Sequence, residues 1–222
     1  MFEAVKNNDL EVIKHVVEQG ANLHAKNVDK VLQYAAEKGH LELVKYLVEQ
    51  GANLYAETDY ALRMAAEYGH LEVVKYLLEQ GADLHVREDW ILRSAAVNGN
   101  QELVKYLVEQ GADLHVYEDW VFRLAAHNSH LKLVKYLVEQ GANLHAGYDY
   151  ALRSAAPFGH LELVKYLVEQ GANLRADDDW ALQKAAENGH LEVVKYLLEQ
   201  GENFDQKVNS TVIFFASKNK IC

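Results

Sequence analysis

Apolar and polar residues follow one pattern that recurs from one end of the chain to the other. Its clearest copy, residues 60–86, reads YALRMAAEYGHLEVVKYLLEQGADLHV. The first half carries a helical Leu-x-x-Ala-Ala motif, and the second half places apolar residues on one face at helical spacing. In the preceding copy we expect that face to consist of Leu41, Val44, Leu47 and Val48. The pattern predicts two short antiparallel helices in each copy.

The copies follow one another at a fixed period. The glycine that closes each copy recurs every 30 residues, and only the first interval, from Gly20 to Gly51, is one residue longer. A constant period of this length indicates a solenoid, in which each repeat buries its apolar surface against its neighbours. The remaining closing glycines are Gly81, Gly111, Gly141, Gly171 and Gly201.

The period predicts a single domain over residues 1–222, with about seven helix pairs and a terminal half repeat. We expect an N-terminal capping repeat in residues 1–28, six 30-residue repeats in residues 29–208, and a half repeat and tail in residues 209–222. The pairs are expected to begin near Phe2, Lys30, Tyr60, Trp90, Trp120, Tyr150 and Trp180.

Two residue types are expected to mark the ends of each first helix. An aspartate precedes the helix, and its carboxylate is expected to cap the free backbone N–H groups. A glycine such as Gly69 follows the helix and accepts the left-handed conformation that ends it. The aspartates are Asp29, Asp59, Asp89, Asp119, Asp149 and Asp179.

Three copies in the middle of the chain depart from the pattern. Asn100-Gln101 replaces His-Leu and places an amide at an expected core position, and Ser129 takes the place of the glycine. Pro157 removes a hydrogen bond late in its helix and is expected to end it early. We therefore expect faster amide hydrogen exchange in the middle of the chain than at its ends.

The motif Gly-His-Leu-Glu-x-Val-Lys-x-Leu, followed by Gly-Ala-Asp or Gly-Ala-Asn, resembles the ankyrin repeat over about residues 2–218. The 30-residue unit with Asp-aromatic-Ala-Leu-Arg is similar to the ankyrin proteins of giant DNA viruses of amoebae. The resemblance implies an all-α ankyrin-type solenoid that binds a partner protein through its concave face; for a viral protein, the partner would be a host protein. The family's repeat has about 33 residues, so the β-hairpin fingers are expected to be short or absent. Tyr-Ala-Leu-Arg also replaces the family's Thr-Pro-Leu-His at residues 60–63.

Charge and composition exclude several other classes of protein. The net charge of −11 argues against nucleic acid and anionic membrane surfaces as partners, since both attract basic proteins. No apolar run is long enough to span a membrane, and the first twenty residues lack the features of a signal peptide. The single cysteine, Cys222, fits a reducing compartment. We expect an intracellular, cytoplasmic protein, located in the host cell if it is viral.

Histidines and carboxylates are numerous but do not predict a catalytic or metal site. Packed helices lie about 8–10 Å apart, too far for one histidine per repeat to share a zinc ion with the next. We expect the first histidine column to begin second helices and to bond to backbone. The chain has no phosphate-binding loop, His-Glu-x-x-His or Gly-x-Ser-x-Gly motif, so we predict no enzyme activity and no cofactor. The columns are His40, His70, His130, His160 and His190, and His24, His85, His115 and His145.

An aromatic column and an arginine column are candidates for partner binding. The rings either anchor a partner, as aromatic residues often do, or cover the neighbouring crossover. Each arginine either pairs with the aspartate four residues before it or stacks on a ring. The aromatic column is Tyr60, Trp90, Trp120, Tyr150 and Trp180. The arginine column is Arg63, Arg93, Arg123 and Arg153, flanked by Gln33 and Gln183.

A third set of positions changes from copy to copy on the first helix. These residues either set the specificity for a partner or have drifted at unconstrained surface sites. They are Met64, Ser94, Leu124, Ser154 and Lys184.

The function predicted from the sequence is a non-enzymatic protein–protein interaction module. The alternative is a structural protein that self-associates through the apolar segment Val212–Phe215. That segment either packs back on the last repeat or forms an adhesive end, and in the first case we expect a monomer.

Overall fold

The computed structural model describes residues 2–19, 26–57, 59–85 and 90–201, and every regular element in these ranges is a helix. The helices come in seven pairs joined by short turns, as predicted. No strand occurs in these ranges, in agreement with short or absent hairpin fingers. The chain divides into two compact units, Met1–Asp113 and Leu114–Cys222.

The first unit stacks its helix pairs in chain order. Helix α1 packs on α3, α3 on α5 and α5 on α7, and among the second helices α4 packs on α6. The second helix pair begins earlier than predicted, at Lys26 rather than near Lys30. The helices are α1 (Phe2–Lys6), α2 (Leu10–Glu18), α3 (Lys26–Glu37), α4 (Leu41–Glu49), α5 (Tyr60–Glu67), α6 (Leu71–Glu79), α7 (Trp90–Val97) and α8 (Gln101–Glu109).

The second unit repeats the same arrangement. Helix α9 packs on α11 and α11 on α13, and α12 packs on α14. The helices are α9 (Val116–His127), α10 (Leu131–Glu139), α11 (Ala146–Ala155), α12 (Leu161–Glu169), α13 (Ala176–Glu187) and α14 (Leu191–Gln200).

The core of each repeat combines small residues on the first helix with branched residues on the second. Ala65 and Ala66 are completely buried, so neighbouring first helices can approach closely. On α4, Leu43, Val44 and Leu47 are completely buried. The predicted face of this helix is wrong in part, because Leu41 and Val48 are only half-buried and Leu43 takes their place in the core.

The first helices end at a left-handed glycine, as predicted. At Gly39 (φ 73°) the backbone N–H bonds to the carbonyl of Ala36, and the N–H of His40 bonds to that of Ala35. The ring of His70, from the next repeat, lies where a Cβ on Gly39 would point. Glycine is therefore required both by the backbone conformation and by the close approach of a neighbour.

Ser129 adopts the conformation that glycine adopts in the other repeats, with φ 60°. A left-handed conformation costs a residue with a Cβ about 1–2 kcal/mol, and glycine avoids this cost. Part of that gain is offset because the unfolded chain is more flexible with glycine and loses more entropy on folding. We therefore expect Ser129→Gly to raise the free energy of unfolding by about 0.5–1 kcal/mol. Urea denaturation followed by circular dichroism measures the change, and an unchanged or lower unfolding midpoint would contradict it.

Asp59, Asp119 and Asp149 do not cap the first helices, so the capping prediction is wrong at these positions. Asp59 (φ 53°) makes no capping bond, and its buried carboxylate accepts the N–H of Asp83 at 3.4 Å. In the second unit the carboxylate of Asp149 accepts the N–H of Asn173 at 2.8 Å. Each carboxylate thus ties the start of its repeat to the segment that follows the second helix. Burial raises the pKa of Asp59.

Pro157 ends its helix early, as predicted. Helix α11 stops at Ala155, and a 3₁₀ turn over Ala156–Phe158 follows. The ring of proline clashes with continuation of an α-helix and supplies no N–H.

The prediction for Asn100-Gln101 is wrong, because neither side chain lies in the core. Both are half-buried, as the residues at these positions are in the other repeats. The amide of Asn100 lies against Gly69, and both residues line an open cleft of about 310 Å³.

Several predictions fall on residues that the structure does not describe. These include the half repeat over residues 209–222 with Val212–Phe215, the cap Asp89 and the histidine His24. Within the described ranges, no helix is both long enough and apolar enough to cross a membrane.

Candidate functional site

Aromatic and basic side chains form one row in each unit, which we call the aromatic–arginine rows. In both units the right-handed part of the first helix begins at the aromatic residue, and the arginine follows three positions later on the same face. The first row consists of Tyr60, Arg63, Trp90 and Arg93. The second row consists of Trp120, Arg123, Tyr150, Arg153, Trp180 and Lys184.

In the first row the guanidinium groups lie over the rings. The Cζ of Arg63 is 5.2 Å from the ring centre of Tyr60 on its own helix and 5.8 Å from that of Trp90 on the next. The Cζ of Arg93 is 5.5 Å from the Trp90 ring. Each contact is in the range of a cation–π interaction, so Trp90 receives one guanidinium from each of two adjacent helices.

The second row repeats this geometry. The Cζ of Arg123 is 6.0 Å from the ring centre of Trp120 and 4.9 Å from that of Tyr150. The ring of Trp180 has the Cζ of Arg153 at 5.8 Å and the Nζ of Lys184 at 4.8 Å. Stacking on rings is thus the arrangement adopted. For Arg63, Arg123 and Arg153 the alternative, an intrahelical pair, is wrong, because the aspartate four residues earlier bonds elsewhere.

The tryptophan side chains of both rows remain partly exposed to solvent. Trp90 and Trp120 are each 37% exposed and Trp180 is 40% exposed, whereas Tyr60 and Tyr150 are half-buried. The rings therefore pack against neighbouring repeats and still present apolar surface. The rings contact side chains of neighbouring first helices, and their role as anchors for a partner stays a prediction.

A left-handed turn precedes each first helix of the second unit and places the aromatic residue. Tyr117, Glu118 and Asp119 have φ between 52° and 55°, and the helix becomes right-handed at Trp120. Such a conformation costs about 1–2 kcal/mol for each residue that is not glycine. Compensating bonds are therefore expected close by.

Side chains of the same repeat supply those bonds. Nδ1 of His145 donates to the carboxylate of Asp149 at 2.9 Å, a tautomer assigned from the hydrogen bonding. Nη1 of Arg153 donates to the carbonyl of Gly147 at 3.5 Å, and Nε2 of Gln183 donates to that of Asp178 at 2.7 Å. Arg153 and the glutamine at the equivalent position, Gln183, thus donate to backbone carbonyls of the turn that precedes their own helix.

Acidic residues, two from the turns and one from the end of α13, neutralise the cations of the second row. Arg123 lies 3.9 Å from a carboxylate oxygen of Glu118, and Arg153 lies 2.5 Å from one of Asp177. Lys184 pairs with Glu187 at 2.5 Å. The sequence did not predict these pairs, because the acidic partner changes position from repeat to repeat.

Comparison with known families identifies the architecture. The sequence model of three successive ankyrin repeats matches residues 1–88 and 122–210, and the model of a single ankyrin repeat matches residues 91–119. The chain belongs to the ankyrin-repeat family. Ankyrin repeats generally mediate protein–protein interaction and are typically non-enzymatic scaffolds.

A solved structure with similar architecture is the crystal structure of the human ASB11 ankyrin repeat domain. The alignment has a TM-score of 0.76 and 27% sequence identity, and covers 91% of this chain and 98% of that one. No curated protein sequence gives a significant match. The similarity to giant-virus ankyrin proteins therefore stays a prediction.

The variable positions of this ankyrin-repeat protein are less accessible than the sequence indicated. Met64, Ser94 and Ser154 are buried, and the hydroxyl of Ser154 donates to the carbonyl of Ala151 at 3.1 Å. Leu124 and Lys184 are half-buried. The first helix packs on both neighbours, so this position faces another repeat, which a single sequence does not reveal.

The first histidine column contributes to packing between the ankyrin repeats. The ring of His70 shares a hydrogen bond of 2.8 Å with the carbonyl of Glu37, which fits the prediction that the column bonds to backbone. Burial lowers the pKa of His160, and His190 and His127 lower it further. Burial likewise lowers the pKa of His40. The described residues contain no group of three or more metal-ligating side chains.

The lowered pKa of His160 predicts acid sensitivity. The unfolded chain binds a proton at this residue near pH 6.5, whereas the folded chain resists it, so the contribution to stability is complete above pH 6.5 and is lost as the pH falls below it. Asparagine occupies the equivalent position at Asn100, which makes His160→Asn a suitable variant. We expect unfolding midpoints of the variant to fall less between about pH 7.5 and about pH 5.5. Equal pH dependence in the two proteins would contradict the prediction.

Proposed function

We propose that this ankyrin-repeat protein binds a partner protein, without catalysis or cofactor, through the aromatic–arginine rows, one in each unit. The observation that supports the proposal is the partial exposure of Trp90, Trp120 and Trp180 on rigid helices. Tryptophan, tyrosine and arginine are the residue types most often found as energetic centres of interfaces. Both rows consist almost entirely of these three types.

The contacts within the rows explain how such a face would bind. A guanidinium lies over each tryptophan, for example Arg93 over Trp90 at 5.5 Å, and restricts the rotamers of the ring before a partner arrives. Binding then loses little side-chain entropy, which is the general advantage of a preorganised surface. Tyr117 packs edge-on against Trp120 at 6.0 Å and widens the apolar surface in the second unit.

The charges beside the rings favour a partner segment that carries both signs. In the second unit the side chain of Glu118 is 78% exposed and that of Asp177 is 50% exposed, next to Arg123 and Arg153. A basic residue of the partner would meet these carboxylates while its apolar residues cover the rings. We place the interaction inside a cell, since the chain has a single cysteine. If the protein is viral, the partner would be a host protein.

A comparison of variants tests the proposal. The wild-type chain and a variant with Trp90, Trp120 and Tyr150 changed to alanine are used to retain proteins from cell lysate. A matched control changes Tyr68 and Phe158, which are also exposed but lie at the other end of the first helices. We expect a partner that the wild type and the control retain and the row variant loses. Circular dichroism confirms that all three chains are helical.

The outcome that would overturn the proposal is equal retention by the folded row variant. Should the triple variant unfold, single Trp120→Ala and Trp180→Ala variants replace it, and each is expected to weaken binding of the partner about tenfold or more. Unchanged affinity in both folded single variants would assign the rings to packing alone.

A further inference from the structure

The arginines of the second row have acidic partners at two alternative positions. Arg123 pairs with Glu118, the residue five positions before it. Arg153 pairs with Asp177, the residue 24 positions after it, because Tyr148 occupies the earlier position. Arg123 and Arg153 thus each have one acidic partner, which comes from one of these two sequence positions.

Arg63 in the first row has an acid at neither position. The sequence places Thr58 five residues before it and Arg87 24 residues after it. Arg93, by comparison, has Glu88 at the earlier position. Arg63 is the one member of the arginine column whose two equivalent positions contain no acidic residue, and a second basic residue stands at one of them.

The structure agrees with this difference. Among the described residues, Arg63 contacts the rings of Tyr60 and Trp90 but has no ion pair or hydrogen bond. A buried Nε without an acceptor in the described ranges is common to all four arginines of the column, so the missing ion pair is what distinguishes Arg63. Arg153, in contrast, has both an ion pair and a bond to a backbone carbonyl.

A guanidinium in this position is arranged to bind an anion. The rings of Tyr60 and Trp90 lie on either helix beside the guanidinium, 5.2 and 5.8 Å from its Cζ. Its Nη1 and Nη2 groups have no acceptor among the described residues and are the donors left for a partner. A planar carboxylate accepts two of these hydrogens at once, which a lysine would not offer in the same geometry. A partly desolvated cation without a counter-ion also gains more from a new partner than an exposed cation does.

We propose that Arg63, held between Tyr60 and Trp90, binds the carboxylate of an aspartate or glutamate in an extended segment of the partner protein. This inference rests on the proposed function and adds to it one defined contact. A side-chain carboxylate suits the site because its aliphatic stem can lie against the two rings. Polyanions are disfavoured by the net charge of −11.

The test uses the full chain and a random peptide library displayed on phage. Peptides selected on the wild type are synthesised, and their dissociation constants are measured by fluorescence anisotropy. We expect the selected peptides to share an aspartate or glutamate at one aligned position. Changing it to asparagine or glutamine is expected to weaken binding to the wild type by about tenfold or more.

Two matched variants locate the contact. Glutamine occurs naturally in this column at Gln33 and Gln183, so Arg63→Gln and Arg153→Gln are both compatible with the fold. In Arg63→Gln we expect the acidic peptide and its amide analogue to bind equally. In Arg153→Gln, whose cation already has a partner, the tenfold difference is expected to persist. If Arg63→Gln unfolds, Arg63→Lys replaces it and is expected to lose most of the difference, because its ammonium lacks the planar fork.

The failures of the two proposals are distinguishable. Peptides that bind equally well to the folded variant with Trp90, Trp120 and Tyr150 changed to alanine would overturn the proposed function. Peptides that depend on the rings but bind equally with acid or amide would overturn only the role of Arg63. An acid preference that survives Arg63→Gln would also overturn it.

Discussion

Phe122→Ala is expected to lower the free energy of unfolding of the second unit by about 3–5 kcal/mol. Phe122 is one of the largest completely buried side chains, on α9 where that helix packs against α11. Truncation removes the apolar contacts of the ring and leaves a cavity that a stack of short helices closes only in part. Urea denaturation followed by circular dichroism measures the change.

The equivalent residue in neighbouring repeats provides the control. Leu92 and Leu152 occupy this position and are also buried. Phe122→Leu should therefore cost less than about 1.5 kcal/mol. Similar losses in the two variants would show that ring volume is not what stabilises this position.

Gly159→Ala is expected to destabilise the same unit by about 1.5–4 kcal/mol, from two independent effects. Gly159 has φ 74°, a conformation with a net cost to alanine of about 0.5–1 kcal/mol, because alanine also loses less chain entropy on folding. The new Cβ would also lie 2.5 Å from Nδ1 of His190, so the ring must move at a cost of about 1–3 kcal/mol. Denaturant unfolding of the variant gives the sum of the two effects.

A second glycine separates these effects. Gly171 also has a positive φ, of 100°, but a Cβ there would meet nothing within 4 Å. Gly171→Ala should therefore show only the backbone penalty. Gly159→Ala should lower the free energy of unfolding by more than Gly171→Ala does. Combining Gly159→Ala with His190→Ala should restore this additional part of the loss. An equal loss in the two single alanine variants would contradict the role assigned to the histidine.

The period and the composition of one repeat were sufficient to predict the architecture. A residue type that recurs every 30 positions must satisfy the same environment in each repeat, so Ala65, Leu47 and Gly39 could be assigned to core and turn without a structure. The shortened connection also predicted the absence of strands. These features depend on contacts that each repeat makes in the same way.

The features that the sequence did not reveal depend on contacts between distant residues. Asp149 was assigned as a helix cap from its position, but its carboxylate bonds to His145 and to the N–H of Asn173, within a left-handed turn. Met64 varies between copies and was therefore expected at the surface, although both sides of its helix are covered. For the arginines, stacking was one of two alternatives, and the ring geometry decided between them.

Three hydrogen bonds between repeats run in the same direction along the chain. A side chain of the later repeat meets a backbone carbonyl of the earlier one: His70 at Glu37, Asn98 at Glu67 and Asn188 at Pro157. A backbone carbonyl is present whatever side chain the residue carries. Within each unit, gene duplication or deletion of a whole 30-residue segment would therefore leave a repeat that carries such a donor with an acceptor at its new junction. The length of such an array can change in evolution without compensating substitutions at its junctions.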